Sequence, residues 1–123
     1  MRLSANFELA EFACKCCGAV IVSSDLYDLV GRLQAVRNAI GRAIRVTSGY
    51  RCREHDARVG TSSKPGAGPH TKGIAADIVV DGMCPDELAE YCEVAGFNGV
   101  GVYRKKGFVH VDVRSVPAYW YGE

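Results

Sequence analysis

Four side chains that can bind a metal or transfer a proton lie in two apolar segments of this sequence. His70 precedes the run "IAADIVV", which carries Asp77. His110 and Asp112 lie together in "FVHVDVR". The chain has three histidines, so the presence of two of them beside carboxylates in strand-like segments is its strongest chemical signal. A single histidine is more often hydrogen-bonded or exposed than a ligand, and His55 keeps that interpretation.

Strand geometry predicts which of these side chains share a face. Successive side chains of an extended strand alternate between its two faces, so His110 and Asp112 share one face while the valines beside them pack into the core on the other. Two imidazoles and a carboxylate from separate strands are the ligand set of a catalytic zinc, with a fourth position for water. This pattern indicates a binding or catalytic site.

Asp77 stands alone among Ile, Ala and Val. An unpaired carboxylate buried in such a run costs on the order of several kcal/mol unless a cation meets it. The partner is therefore either a metal or an arginine. Arg51, in the turn "TSGYR", could be that arginine, and its other role would be to hold a substrate carboxylate with its forked guanidinium.

Length and patterning predict one α+β domain that spans residues 1–123. A chain of 123 residues can bury a hydrophobic core without the help of a metal or a disulfide. The order of the elements, which ends in a hairpin, fits a small, mostly antiparallel sheet with helices packed on one face. The aromatic tail "AYWYGE" either closes the core or lines a groove, and burial of its rings in the core is the favoured alternative.

Periodicity and turn residues indicate where these elements begin and end. Apolar residues at helical spacing predict a core helix between an N-cap at Ser23 or Ser24 and a stop at Gly41. Two shorter helices are predicted in "REHDARVG" and "CPDELAEYCEVAG". Strands are predicted in "AIRVTSGY", in "IAADIVV" and on both sides of the basic turn at 104–107, and residues 61–69 form a loop.

Charge and hydropathy exclude several classes of protein. The formal net charge is +1 and the basic residues are scattered apart from "RKK" at 104–106, so no nucleic-acid partner is expected. No segment approaches the roughly 20 apolar residues of a membrane span, and Glu8 and Glu11 interrupt the stretch where a signal peptide would be apolar. We therefore expect a monomer that is made in the cytoplasm and does not insert into membranes.

Six cysteines are many for a chain of this length. Without an export signal, free thiols or a metal clip are expected in preference to disulfides. Cys14, Cys16 and Cys17 in "CKCCG" resemble half of a zinc knuckle, but the other three cysteines are isolated and form no second half. Small buried thiols are therefore expected ahead of a structural metal, and a zinc-knuckle nucleic-acid binder is not supported.

The segment "GPHTKGIAAD" matches the pattern H-x-x-G-x-A-x-D of the zinc D-alanyl-D-alanine peptidase family. "TSGYR" before it, "HVDVR" after it and the opening "NFELAEFACKCCG" resemble a short, phage-associated branch of that family, in the right order. The family includes carboxypeptidases and phage L-alanyl-D-glutamate endopeptidases, and its fold resembles the hedgehog signalling domain. The resemblance spans nearly the whole chain, and the motifs are specific in combination although each is weak alone.

The resemblance implies that His70, Asp77 and His110 bind zinc and that the substrate is the peptidoglycan stem peptide. It also implies that Arg51 grips a peptide carbonyl or carboxylate of the substrate, and Tyr103 is a further expected substrate-binding residue. The implied activity is that of a DD-carboxypeptidase or an endopeptidase, acting at the bacterial cell wall after release through a lysis pore or as part of a virion. The alternative is a catalytically inactive, zinc-containing binding or virion structural module of the same fold.

Two positions depart from the family pattern, because Gly68 replaces a common serine and Gly107 replaces a common acidic general base. We predict Asp112 as the base, since strand geometry puts it about 6 to 7 Å along the chain from His110 and on the same face. In a second alignment, Asp112 is the zinc ligand and His110 donates a hydrogen bond to the transition state. If neither holds, the remaining candidates for the base are Tyr103 and Glu54.

Overall fold

A computed structural model describes residues 1–59 and 68–123. The helices are α1 Ser24–Ile40, α2 Arg53–Val59 and α3 Pro85–Val94. The strands are β1 Arg2–Ser4, β2 Phe7–Glu8, β3 Arg45–Ser48, β4 Ala75–Val79, β5 Gly99–Tyr103, β6 Phe108–Asp112 and β7 Ala118–Gly122. A 3-10 turn, Leu9–Phe12, follows β2. Residue 60, the expected end of the second helix, and most of the loop expected at 61–69 lie outside the described residues.

Five strands form one sheet in the order β3-β4-β6-β5-β7, and β1 pairs with β2 in a separate ribbon. Neighbouring strands of the sheet are antiparallel except β5 and β7, which run parallel. The prediction of an α+β fold with a mostly antiparallel sheet is confirmed. Strands β1, β2 and β7 were not among the predicted elements, since two of them are very short and the third was assigned to an aromatic tail.

One face of the sheet forms the core. Val109 and Val111 on β6 are fully buried, and Val102 on the neighbouring strand β5 is buried with them. These side chains join the apolar faces of α1 and α3 in one hydrophobic cluster. Each fully buried aliphatic side chain contributes about 1.5 to 3 kcal/mol, so the cluster holds the strands in register. Because side chains alternate, His110 and Asp112 fall on the opposite face, as predicted.

Helix α1 begins and ends where the sequence predicts. The Ser23 hydroxyl accepts the N–H of Leu26 at 3.3 Å, and Gly41 ends the helix with a φ of 74°. A residue in this left-handed conformation is strained unless it is glycine, which explains the stop. Of the helices in residues 1–59 and 68–123, none is long and apolar enough to cross a membrane.

The segment before α1 packs against the turn that follows β3. The N–H of Tyr50 donates to the carbonyl of Phe12 at 2.8 Å, and the Phe12 ring is buried. A Cβ at Gly49 would lie 2.6 Å from Phe12 Cα, so only glycine permits this approach of the two chain segments. The N-terminal segment therefore supports the backbone of residues 49–52, which carries Arg51.

The aromatic tail forms the edge strand β7 and does not close the core. Tyr119 and Tyr121 are 44% and 58% exposed, while Trp120 between them is half-buried on the other face. The Trp120 ring centroid lies 5.2 Å from that of His110, on the face of the sheet away from the core. The favoured prediction for the tail is wrong, because strand alternation places the Trp120 ring on the face away from the core and leaves the Tyr119 and Tyr121 rings exposed on the other side of the edge strand.

Candidate metal centre

A cleft of about 390 Å³ opens over the face of the sheet that is turned away from the core. This volume lies within the range of about 300 to 1,000 Å³ that is usual for small-molecule sites. Helix α2 borders the cleft, so it does not join α1 and α3 on the core face. The predicted site residues that line it are Arg51, His70, Asp77, Tyr103 and His110.

The strand register brings two of the expected ligands together. β4 and β6 are antiparallel neighbours, and Asp77 is the direct cross-strand partner of His110. His70 enters from the turn before β4, and its backbone carbonyl accepts the N–H groups of Arg51 and Gly73, each at 3.2 Å. Three residues that are distant in sequence therefore meet at one point of the cleft.

His70, Asp77 and His110 form a compact cluster of potential ligand atoms. Nε2 of His70 lies 3.1 Å from Oδ1 of Asp77 and 3.2 Å from Nδ1 of His110. Nδ1 of His110 also lies 3.2 Å from that same carboxylate oxygen. All three residues are buried, and two nitrogens and one oxygen converge on a single point.

Hydrogen bonds on the outer side of each ring determine which nitrogens face inward with a lone pair. Nδ1 of His70 donates to the carbonyl of Gly49 at 2.7 Å, and Nε2 of His110 donates to Oδ2 of Asp112 at 2.7 Å. A neutral imidazole carries a single N–H, so the two inward nitrogens are acceptors. The inward oxygen of Asp77 is an acceptor as well. Three acceptors at this separation repel one another unless a cation lies among them.

This arrangement fits a zinc ion. Two imidazole nitrogens and a carboxylate oxygen are a usual donor set for catalytic zinc. Histidine ligands of metals commonly donate their other N–H to a backbone carbonyl or to a carboxylate. His70 and His110 have these two partners, Gly49 and Asp112.

The electrostatics of the cluster also favour a positive charge at its centre. In the metal-free protein, an imidazole that gains a second proton can donate to Asp77. Burial disfavours the charged form of Asp77, but such hydrogen bonds from His110 and His70 outweigh burial and hold the pKa of Asp77 well below its ordinary value. Burial lowers the pKa of His110, but hydrogen bonds to Asp112 and Asp77 more than offset this effect and the pKa is raised. A proton can supply the charge in the free protein, and a metal cation can replace it.

Asp112 is completely buried and its carboxylate is turned away from the inward-facing atoms of the cluster. Oδ2 accepts Nε2–H of His110 at 2.7 Å and Nη2–H of Arg114 at 2.6 Å. Oδ1 accepts the side-chain Nε–H of Arg114 at 2.8 Å and its backbone N–H at 3.0 Å. The His110 ring lies between the Asp112 carboxylate and the inward-facing Nδ1 of His110. Asp112 therefore does not reach the centre of the cluster, although it shares a face with His110 as predicted.

The charge state of Asp112 follows from these contacts. Burial disfavours ionisation, but hydrogen bonds from Arg114 and His110 outweigh it and hold the pKa of Asp112 well below its ordinary value. A carboxylate this strongly stabilised is a weak proton acceptor. The geometry therefore suits Asp112 to orienting His110.

Two glycines on β5, which were not among the predicted site residues, leave space for these groups. Gly99 lies opposite Asp112 and Gly101 lies opposite His110 in the sheet. A Cβ at position 99 would collide with the Asp112 carboxylate, and a Cβ at position 101 would collide with the Trp120 ring. The alternation of glycine and valine in "NGVGV" was the available signal, because glycine in a strand often marks a close approach.

Arg51 does not meet Asp77 in the way that one alternative required. Its Nε lies 3.4 Å from Oδ1 of Asp56 on α2, and the two side chains are 13% and 4% exposed. Asp77 is met by the imidazoles of His70 and His110 instead. Arg51 therefore lines the cleft, and its Nε forms an ion pair with Asp56, a residue without a predicted role.

Aromatic side chains form another part of the cleft wall. The Tyr103 ring stacks on Phe108 with centroids 4.5 Å apart, and its hydroxyl accepts Nε1–H of Trp120 at 3.0 Å. The guanidinium of Arg114 lies 4.9 Å from the centroid of the Trp120 ring. Tyr103 is thus placed beside the cleft as expected, whereas Trp120 and Arg114 were not predicted to be there.

A family model described as Peptidase M15 matches residues 5–112. The chain belongs to the peptidase M15 family. Membership confirms the resemblance to a zinc peptidase family, and the matched residues of this M15 peptidase include the whole His70, Asp77 and His110 cluster. A search of curated proteins found no match. Trp120 and Arg114 lie beyond the residues that the M15 model matches.

The contact between Gly101 and Trp120 leads to a spectroscopic prediction. A Cβ at Gly101 would push the ring of Trp120, the only tryptophan of the chain, out of its place beside His110. Gly101→Ala should therefore shift the tryptophan emission to longer wavelength while the far-ultraviolet circular dichroism is kept. Gly31→Ala is the control, because a Cβ there meets nothing within 4 Å. An unchanged emission spectrum in Gly101→Ala would contradict the packing described for the tail.

Proposed function

We propose that this chain is a zinc-dependent peptidase that hydrolyses a peptide bond in the peptidoglycan stem peptide. The observation that carries the proposal is the convergence of three acceptor atoms from His70, Asp77 and His110 in a cleft of substrate size. Membership in the peptidase M15 family supports the reaction class. The motifs resemble a phage-associated branch, and this similarity supports a role at the bacterial cell wall, during lysis or on a virion.

In this proposal His70, Asp77 and His110 hold the zinc ion. When bound, zinc supplies Lewis acidity that lowers the pKa of water and polarises the scissile carbonyl. The protein keeps the inward nitrogens deprotonated, because the Gly49 carbonyl and the Asp112 carboxylate accept the outer N–H groups. Burial of the cluster keeps competing water from surrounding the charges.

Arg51 binds the substrate in this proposal. Its guanidinium lies on the cleft wall, where the forked N–H donors suit a carboxylate of the stem peptide or a carbonyl oxygen that gains negative charge. The ion pair with Asp56 restricts the side chain before substrate arrives, so less conformational freedom is lost on binding. Tyr103 contributes a flat aromatic surface to the same cleft.

Asp112 has two possible roles that make different predictions. As the general base it would have to reach a water molecule at the centre, which the contacts to His110 and Arg114 oppose. As a positioning residue it fixes the tautomer and orientation of His110 without touching the reacting atoms. We propose the second role.

One observation favours a second candidate function, an inactive zinc-containing binding or virion module of the same fold. Gly107 stands where many relatives carry an acidic base, and it is exposed in the turn between β5 and β6 with a φ of 79°. Turnover of defined stem peptides, followed by mass spectrometry of the products, separates an enzyme from such a module. The same product masses distinguish a carboxypeptidase from an endopeptidase.

The ligand assignment predicts the metal content of variants. His70→Ala and His110→Ala should each lose one equivalent of zinc relative to the parent protein and lose hydrolysis, because each removes one of three ligands. His55→Ala should retain the zinc, since His55 is not part of the cluster. Elemental analysis of folded protein measures the zinc. If both ligand variants fold and hold as much zinc as the parent, the assignment is wrong.

The role of Arg51 is tested by a substitution that keeps its charge. Arg51→Lys preserves a cation near Asp56 but removes the forked donors, so kcat/KM should fall at least about tenfold, the loss expected for charge-assisted hydrogen bonds worth roughly 1.5 to 3 kcal/mol. The zinc content and the melting temperature should be nearly unchanged. Arg53→Lys, at the exposed start of α2, is the control. Full activity in Arg51→Lys would rule out a forked contact with the substrate.

The role of Asp112 is tested by Asp112→Asn. A positioning role predicts a loss of about 10- to 100-fold in zinc affinity or activity. A general base predicts that zinc affinity is kept while the rate falls by about 10²- to 10⁴-fold. A competition titration with a chromogenic chelator measures the affinity, and Asp81→Asn, an exposed acid just after β4, is the control. Unchanged zinc affinity together with the large loss of rate would overturn the positioning role.

A further inference from the structure

Three cysteines meet outside the cleft. Cys14 and Cys17 lie in the segment after the 3-10 turn, and Cys52 lies in the connection between β3 and α2. Their Sγ atoms all lie within 4.8 Å of one another, and none of the three is in a disulfide. Cys52 is isolated in the sequence, but the fold brings it to Cys14 across a separation of 38 residues.

The loop that carries Cys14 and Cys17 has the form of a metal-binding knuckle. Gly18 follows the second cysteine with a φ of 77°, a conformation that suits glycine. The N–H of Gly18 donates to the carbonyl of Cys14 at 2.8 Å, and the N–H of Cys14 donates to the carbonyl of Ala19 at 2.7 Å. These bonds close the turn, and Sγ of Cys14 and Sγ of Cys17 lie within 4.8 Å of each other.

Backbone N–H groups donate to two of the three sulfur atoms. The N–H of Cys52 donates to Sγ of Cys14 at 3.3 Å, and the N–H of His55 donates to Sγ of Cys52 at 3.5 Å. Hydrogen bonds of this kind stabilise a thiolate, which is the form of cysteine that binds metals. Sulfur atoms bound to one tetrahedral zinc at about 2.3 Å lie about 3.8 Å apart, so the cluster has the right size.

We propose that Cys14, Cys17 and Cys52 bind a second zinc ion with a structural role, separate from the centre in the cleft. Cys16 is not assigned as a ligand, because its sulfur lies outside the cluster and accepts Nη2–H of Arg58 at 3.0 Å. Cys17 lies at the surface, so the fourth position of a zinc held by these three thiolates would be open to solvent. Three thiolates select a soft cation such as zinc over calcium or magnesium.

The site joins two parts of the chain that support the cleft. Cys52 directly follows Arg51, and Gly49 in the same turn supplies the carbonyl that orients His70. A metal clip between this turn and the segment after Phe12 restrains the turn in addition to the backbone hydrogen bond from Tyr50. The existence of the clip does not depend on peptidase activity.

Metal substitution in the His70→Ala/His110→Ala double variant tests the proposal. This variant lacks two ligands of the cleft centre, so the metal that it keeps reports on the cysteine cluster. We expect one equivalent of tightly bound zinc by elemental analysis. Replacement of zinc by cobalt(II) should give the strong near-ultraviolet absorption of thiolate-to-cobalt charge transfer.

Single substitutions then identify the ligands. In the same background, Cys14→Ser, Cys17→Ser and Cys52→Ser should each lose the charge-transfer band and lower the melting temperature. Cys16→Ser and Cys84→Ser should keep both, since neither sulfur belongs to the cluster. If a cysteine variant fails to fold, a chelator should lower the melting temperature of the double variant, because removal of the metal removes the clip. A melting temperature that the chelator leaves unchanged would contradict the structural role.

Three results would overturn the proposal. The double variant could bind no zinc or cobalt, its cobalt spectrum could lack the thiolate band, or mass spectrometry of alkylated, unreduced protein could find two of the three cysteines joined in a disulfide. Failure of the proposed peptidase gives a different pattern. In that case the parent protein does not cleave stem peptides, while the cobalt–thiolate band is present.

Discussion

The antiparallel pairing of β4 with β6 is the constraint on which the rest of the structure depends. Its register sets Ile78 against Val109 in the core and Asp77 against His110 on the opposite face. A slip of one residue would turn the valines of β6 to the cleft and His110 into the core. Packing of the core therefore also fixes the positions of the candidate ligands. A change in the register of the core residues would displace Asp77 and His110 as well.

Charge compensation is the second constraint. Asp77 and Asp112 are both buried. Burial of an isolated, ionised carboxylate costs on the order of several kcal/mol of folding free energy. For Asp112, hydrogen bonds from Arg114 and from Nε2 of His110 offset this cost. Within residues 1–59 and 68–123, the Asp77 carboxylate contacts the imidazoles of His70 and His110, and the single N–H of each neutral ring is donated to another group. The charge of Asp112 is therefore compensated by groups of the protein, whereas the charge of Asp77 requires a bound cation.

The sequence predicts features that depend on periodicity, such as helix limits and strand faces. It does not predict the direction in which a side chain points. Helical spacing and caps gave the limits of α1, and strand alternation placed His110 and Asp112 on one face. Alternation cannot say where a carboxylate points on that face, and Asp112 points at the outer nitrogen of His110 and at Arg114. This direction is set by the neighbouring strand, where Gly99 leaves the space that the carboxylate fills.

The rest of the cleft geometry depends on contacts between segments that are distant in sequence. Most of these contacts involve the short segment "TSGYRC". Gly49 lies against the Phe12 backbone and orients His70, Arg51 lines the cleft, and Cys52 reaches Cys14. These neighbours come from two distant parts of the chain, the N-terminal segment with Phe12 and Cys14 and the turn that carries His70, so sequence spacing around the run does not predict them. A turn with three such neighbours cannot shift at one contact without moving the other two. The geometry of the cleft therefore depends on the N-terminal segment, although that segment supplies none of the residues that line it within the described part of the chain.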